Sequence, residues 1–84
     1  MPKGNHDISE LDRESIRRIA AKAKEMRVAM GYSYESFALH ANINRNTYFK
    51  FEKSAKTGDN FTIVVLAKVI RGLNQTFESF FQNL

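Results

Sequence analysis

The residues best suited to bind another molecule are basic, and they are concentrated between positions 44 and 56. This stretch carries a net charge of +3 in a chain whose formal charge is +4; its basic residues are Arg45, Lys50, Lys53 and Lys56, and its acid is Glu52. A basic surface on a small domain is what attraction to nucleic-acid phosphates requires. An ordinary solvated surface can have the same composition, so charge alone leaves both interpretations open.

Three residues within this stretch have the chemistry to read the edges of bases. Arg45 can donate two hydrogen bonds to guanine, and Asn46 can form the equivalent paired contact with adenine. Phe49 needs an apolar partner, and a thymine methyl group is one; a return to the protein core or a contact with another protein is the alternative. Thr47 and Lys50 are better suited to the phosphate backbone.

These side chains must be held on the outer face of a short helix. Residues 34–51, YESFALHANINRNTYFKF, have the pattern of two helices with buried positions at helical spacing: Phe37, Ala38 and Ala41 in the first, Tyr48 and Phe51 in the second. Asn42 separates them, because Asn tolerates the left-handed backbone that ends a helix abruptly. Ser33 and Asn44 are the expected N-caps, and the second helix is predicted to run to about Lys53.

At these positions the sequence resembles the helix-turn-helix of the Cro and phage-repressor family, the xenobiotic-response-element-type bacterial regulators. The resemblance covers residues 19 to 81 and includes Arg27, Gly31, Ser33 and Glu52. It implies an all-α fold, a compact five-helix bundle that is a lambda-repressor-like DNA-binding domain with a helix-turn-helix. In that family the second helix of this unit lies in the major groove and presents its N-terminal residues to the bases.

The sequence departs from the family pattern at several positions. Asn42 stands where the family usually has Gly, and Tyr48 stands where it usually has a branched aliphatic residue. The Tyr48 hydroxyl is therefore expected at a wet edge or on a partner. Ser54 replaces another usual Gly, and the loop predicted over residues 53–60 is longer than in the family, with Gly58 and Asp59 supplying its turn.

The resemblance also implies roles for individual residues. Arg27 is expected to pair with Glu52 and to keep guanidinium donors free for a phosphate, whereas two unrelated surface charges are the alternative. Tyr34 occupies a position where the family usually has a Gln on the DNA backbone, and its hydroxyl can donate to phosphate. The predicted backbone contacts are Arg27, Ser33, Tyr34, Thr47, Lys50, Lys53 and Lys56.

The N-terminal part of the chain is predicted to support this unit. Residues 1–10 are expected to form a flexible tail and residues 11–84 a single domain, whose first helix starts near Asp12 and ends before Gly31. That helix has an apolar face and adds basic residues to the surface, namely Arg13, Arg17, Arg18, Lys22, Lys24 and Arg27.

The last two helices carry more apolar surface than so small a core needs. The fourth is predicted from about Thr62 to Arg71 and buries one stripe, Ile63, Leu66, Ile70 and Leu73. Thr76 is expected to cap a final short helix that contains three phenylalanines. Because the resembled family commonly dimerises on two-fold operators, part of this surface is assigned to a homodimer contact: Val64, Phe77, Phe80 and Phe81.

Composition argues against several functional classes. The chain has 84 residues, no Cys and only two His, and it has neither a Gly-rich phosphate loop nor a candidate catalytic triad. We therefore expect one small domain that is not an enzyme and that has no metal, cofactor or small-molecule substrate. No apolar run suits a membrane span, so the expected location is the cytoplasm.

These observations predict a sequence-specific regulator of transcription that binds double-stranded DNA, with repression from an operator occupied by a homodimer. Two alternatives stay open. One is the antitoxin of a toxin–antitoxin pair that also controls its own promoter and has the toxin as a protein partner. The other is a protein-interaction module that has kept the fold and lost DNA binding.

Overall fold

Five helices account for most of the residues that the computed structural model describes, which are 9–82 and 84. They are α1 (Glu10–Ala29), α2 (Tyr34–His40), α3 (Arg45–Thr57), α4 (Ile63–Gly72) and α5 (Phe77–Phe81). No strand occurs in this part of the chain, which confirms the prediction of an all-α bundle of five helices. None of these five helices combines the length and the apolar character that crossing a bilayer requires.

Each helix begins after a Ser, Thr or Asn whose side chain accepts hydrogen bonds from the first turn. Ser33 Oγ accepts from the Ser36 amide at 3.1 Å, and Asn44 Oδ1 accepts from the amides of Asn46 and Thr47 at 2.9 and 3.3 Å. The other three caps are Ser9, Thr62 and Thr76. Because these caps satisfy amides that have no partner within the helix, they fix where each helix starts.

All five helices contribute to one hydrophobic core. Its buried members are Ala23, Phe37, Ala38, Ala41, Ile43, Tyr48, Phe51, Leu66, Val69, Ile70, Leu73 and Phe80. The most extensive helix contact is between α1 and α3. On α1, Ala20 and Ala23 are fully buried, and their small side chains allow a neighbouring helix to approach closely. The orientation of α3 is therefore set mainly by α1.

Residues 41–44 connect α2 to α3 and change the direction of the chain. Asn42 has φ 60°, in the left-handed region as predicted, and the Ile43 amide donates to the Ala38 carbonyl at 2.8 Å. The end of α4 packs against the same region. A Cβ placed on Gly72 would lie 2.9 Å from both Phe37 Cζ and Ala41 Cβ, so α4 comes this close to α2 because Gly72 has no side chain.

Two predicted helix boundaries were wrong. Ser9 rather than Asp12 caps α1, so the last two residues of the predicted tail belong to the cap and first turn; residues 1–8 of that tail lie outside the described part. α3 continues to Thr57 instead of ending near Lys53, and Gly58, with φ 72°, ends it. The predicted loop over 53–60 is therefore mostly helix.

The burial predicted for the last two helices was also partly wrong. Ile63 is 65% exposed, whereas the rest of the predicted stripe, Leu66, Ile70 and Leu73, is buried together with Val69. Phe80 is fully buried in the core rather than lying on the surface. Thr76 does cap α5, as predicted.

Candidate nucleic-acid interface

The first two turns of α3 hold five polar or aromatic side chains on the surface. The buried side of α3 is formed by Tyr48 and Phe51, as predicted. The exposed residues that alternate with them are Arg45, Asn46, Thr47, Phe49 and Lys50, followed by Lys53 and Lys56 further along the helix. Every residue that the sequence assigned to base reading is thus brought to one end of one helix and is open to solvent.

The N-terminus of α2 lies beside this surface. The rings of Tyr34 and Phe49 are 5.7 Å apart between centroids, which is contact distance for an aromatic pair. Phe49 is 49% exposed, so it rests on Tyr34 without entering the core. Ser33 is exposed, but its hydroxyl already bonds the Ser36 hydroxyl at 2.9 Å as well as the Ser36 amide. The single proton of the hydroxyl is thus already donated within the cap, and the predicted phosphate contact of Ser33 would require this hydrogen bond to break.

A cleft of about 330 Å³ adjoins the aromatic pair. Its lining combines the two rings with three lysines, and comprises Lys24, Tyr34, Phe49, Glu52, Lys53, Ala55 and Lys56. Lys24 comes from α1, which was predicted to add basic residues to the surface. The place of Lys24 beside Tyr34 and Phe49 follows from the packing of α1 on α3 and was not predicted.

Arg45 has a partner that sequence reasoning missed. Its Nη1 donates to Glu35 Oε2 at 3.0 Å, which joins the first turn of α3 to the first turn of α2. Both side chains remain more than half exposed. The ten-residue separation between Glu35 and Arg45 hides their contact in the sequence.

Arg27 and Glu52 form the predicted ion pair between α1 and α3. Arg27 Nε donates to Glu52 Oε2 at 2.6 Å and Nη2 donates to Oε1 at 3.0 Å, while Nη1 donates to the Tyr32 carbonyl at 2.6 Å. The hydrogen bonds to Glu52 raise the pKa of Arg27 above its ordinary value. Because Arg27 is only 8% exposed, we remove it from the predicted phosphate contacts.

The Tyr48 hydroxyl is not at a wet edge, contrary to the prediction. The side chain is fully buried, and its hydroxyl has no hydrogen-bond partner among the described residues. Burial, and then the neighbouring Glu52 carboxylate, raise the pKa of Tyr48 well above its ordinary value. The hydroxyl therefore stays neutral in the folded protein.

Three further basic residues of α1 bind backbone carbonyls and are partly withdrawn from solvent. Arg13 Nη1 donates to the Gly58 carbonyl at 3.3 Å, and Arg17 Nε donates to the Lys56 carbonyl at 3.4 Å, both at the end of α3. Lys22 donates to the Phe80 carbonyl and lies over the Phe80 ring. Cations stabilise helix C-termini, where carbonyls lack partners. The basic face predicted along α1 is therefore smaller than its composition implied.

The predicted dimer residues do not form one uniform surface. Val64, Phe77 and Phe81 are exposed, and the Phe77 and Phe81 rings meet edge to face at 6.3 Å. Phe80 is withdrawn from the predicted contact because it is buried in its own chain. A second groove, of about 510 Å³, lies between α3 and the start of α4, with Phe51, Phe61 and Val65 among its apolar lining residues.

Within residues 9–82 and 84, no group of three or more His, Asp or Glu side chains is placed to hold a metal ion. Comparison with protein-family models, with curated proteins and with solved structures found no match to this chain.

Proposed function

We propose that this protein is a sequence-specific regulator of transcription whose α2 and α3 form a helix-turn-helix that binds double-stranded DNA. In this proposal α3 enters the major groove, Arg45 and Asn46 read bases, and Phe49 contacts a thymine methyl group. Lys50, Lys53 and Lys56 neutralise phosphates, together with Lys24 of α1. A homodimer occupies a two-fold operator and represses transcription from it.

One observation carries the proposal: the exposed side of α3 presents Arg45, Asn46 and Lys50, while the buried side of the same helix is fixed in the core by Tyr48 and Phe51. A helix that reads DNA needs this division, because its outer side chains must be free while its axis is rigid. Its N-terminal residues must also be clear of the fold, since they reach the bases.

Affinity for a duplex as a function of salt concentration tests the proposal. Phosphate neutralisation predicts that log affinity falls linearly with log salt, and each lost lysine contact should reduce the slope by about 1. Lys50→Ala should lower the slope in this way. Arg18→Ala removes the same charge from an exposed position of α1 and should leave the slope unchanged. Failure of the wild-type protein to bind a duplex at low salt would refute the proposal.

Selection of bound sequences from a random duplex pool tests the base-reading part. A two-fold symmetric consensus is expected, because two copies of α3 would read equivalent half-sites. Arg45→Ala should lose preference at one guanine per half-site, at a cost of about 1–3 kcal/mol. An unchanged consensus with this variant would show that Arg45 does not read bases.

A protein-interaction role is the second candidate, and the exposed apolar residues of α2 and α4 favour it. Leu39 is 84% exposed, and Ile63 and Val64 are also exposed beside the groove between α3 and α4. Exposed apolar surface of this kind is typical of protein contacts. An antitoxin would use such a surface for its toxin and α3 for its promoter. If the protein binds no duplex at low salt, the protein-interaction role without DNA binding is favoured.

A further inference from the structure

The contact between Glu35 and Arg45 joins an acid of α2 to the arginine at the start of α3. Glu35 Oε2 accepts from Arg45 Nη1 at 3.0 Å, and the side chains are 55% and 64% exposed, respectively. A carboxylate at a DNA-binding surface opposes binding, because it repels phosphates. Its presence here therefore needs an explanation other than affinity.

The contact uses only one nitrogen of the guanidinium, Nη1. Arg27 shows what the remaining edge can do, since its Nε and Nη2 bind both oxygens of Glu52 at 2.6 and 3.0 Å. The same Nε–Nη2 edge of Arg45 has no partner among the described residues. Guanine presents two acceptors in the major groove, O6 and N7, and a free guanidinium edge matches them with two parallel hydrogen bonds.

We propose that Glu35 determines base specificity through Arg45: it holds the guanidinium by Nη1 and leaves the Nε–Nη2 edge to bind one guanine. This inference rests on the proposed DNA-binding function. Glu35 is a positioning residue, and its contribution is to restrict an otherwise mobile side chain before DNA arrives, which lowers the entropy lost on binding. The pair is weak in solvent and strengthens once DNA excludes water from it.

A positioning role and a purely electrostatic role predict different results. If Glu35 acted only as a negative charge, its removal would raise affinity for every duplex by the same factor. If it positions Arg45, its removal raises affinity for mismatched duplexes and lowers the ratio of affinities between the preferred duplex and one with the guanine replaced. This ratio is the decisive quantity, because uniform changes in charge cancel in it.

The experiment measures that ratio for the full chain and its variants on two duplexes. One is the sequence selected by the wild-type protein, and the other replaces the guanine at which Arg45→Ala loses preference. Glu35→Ala should lower the ratio by about threefold to tenfold. Glu35→Gln keeps an acceptor for Nη1 and should lower it less. The matched control is Glu25→Ala, which removes one exposed acid from α1 and should leave the ratio unchanged.

Glu35 also lies in the first turn of α2, so its replacement could destabilise the helix. Thermal unfolding followed by circular dichroism shows whether a variant lowers the ratio by destabilising the fold. Equal ratios for Glu35→Ala and the wild-type protein would overturn the inference while leaving DNA binding intact. If Arg45→Ala still lowers the ratio while Glu35→Ala does not, Arg45 binds the guanine without help from Glu35. A wild-type protein that binds no duplex would overturn the proposed function and this inference together.

Discussion

Arg27 and Arg45 each contact one carboxylate, but solvent exposure gives the two pairs different roles. The Arg27–Glu52 pair is nearly enclosed and has two-point geometry, with a third hydrogen bond to the Tyr32 carbonyl. It fixes α1 against α3, because neither charge can leave without stranding the other. The Arg45–Glu35 pair is exposed and makes one contact, so it adds little to stability and leaves the Nε–Nη2 edge of Arg45 open to another partner.

Glu52→Gln should destabilise the folded protein by about 3 kcal/mol, since it leaves the Arg27 charge buried and without its countercharge. Urea unfolding followed by circular dichroism measures this free energy. Glu25→Gln removes an exposed carboxylate from α1 and should change the free energy of unfolding by less than about 0.5 kcal/mol. Equal effects of the two substitutions would show that the pair does not tie α1 to α3.

Tyr48→Phe should stabilise the protein at neutral pH by up to about 1 kcal/mol, because it removes a buried hydroxyl that has no partner among the described residues. The substitution keeps the ring, which contacts Phe37 and Phe51 at 5.2 and 5.8 Å between centroids. Urea unfolding at pH 7 measures the difference. A clear loss of stability would mean that the hydroxyl makes a favourable interaction.

The same variant should differ from the wild-type protein in its response to alkaline pH. The folded pKa of Tyr48 is raised, whereas in the unfolded chain Tyr titrates near pH 10. Below pH 10 the Tyr48 hydroxyl keeps its proton in both the folded and the unfolded state. Above pH 10 the unfolded state loses this proton first, so the free energy of unfolding of the wild-type protein falls. The stability advantage of Tyr48→Phe should therefore grow by about 1.4 kcal/mol per pH unit above pH 10. A constant difference between pH 8 and pH 11 would contradict this.

Among the elements, local chemistry predicted the starts of three helices correctly. Ser33, Asn44 and Thr76 are caps in the structure as they were in the prediction, because a cap acts within its own first turn. The end of α3 combines a local signal, Gly58 in the left-handed region, with contacts from distant residues. Arg13 and Arg17 of α1 bind its last carbonyls, and no pattern within α3 reveals them.

Gly72→Ala should destabilise the protein by about 1–3 kcal/mol, although Ala normally favours a helix. The added methyl group would lie 2.9 Å from Ala41 Cβ and from Phe37 Cζ, and both neighbours are buried with little room to move. Thermal unfolding compares this variant with Arg71→Ala, an exposed substitution one residue away. Destabilisation that is no greater than that of the Arg71 control would show that α4 can shift away from α2.

For the whole molecule, the sequence predicts which residues form the candidate site, but it does not predict which of them contact one another. Helical spacing alone separated Arg45, Asn46 and Lys50 from the buried Tyr48 and Phe51. The contribution of Lys24, the contact of Arg45 with Glu35 and the burial of Phe80 depend on how distant segments pack. Sequence periodicity describes one helix at a time, so it cannot supply such contacts.

We predict that the exposed aromatic pair of α5, Phe77 and Phe81, joins two copies of the chain. Their rings contact each other on the surface, while Phe80 between them is buried and holds α5 to the fold. Exposed apolar area of this kind is stabilised when a symmetric partner covers it. Sedimentation measured over a range of concentrations should show a reversible dimer for the wild-type protein and a monomer for Phe77→Ser combined with Phe81→Ser.

Leu39→Ser is the matched control, since Leu39 is still more exposed but lies on α2. It should leave the dimer unchanged, and circular dichroism should show that the double variant keeps its helices. If the proposed DNA binding holds, the double variant should bind single half-sites and lose the extra affinity for a two-fold site, because two copies of α3 would no longer be linked. A dimer that is lost with Leu39→Ser and kept in the double variant would place the contact between copies on α2 instead.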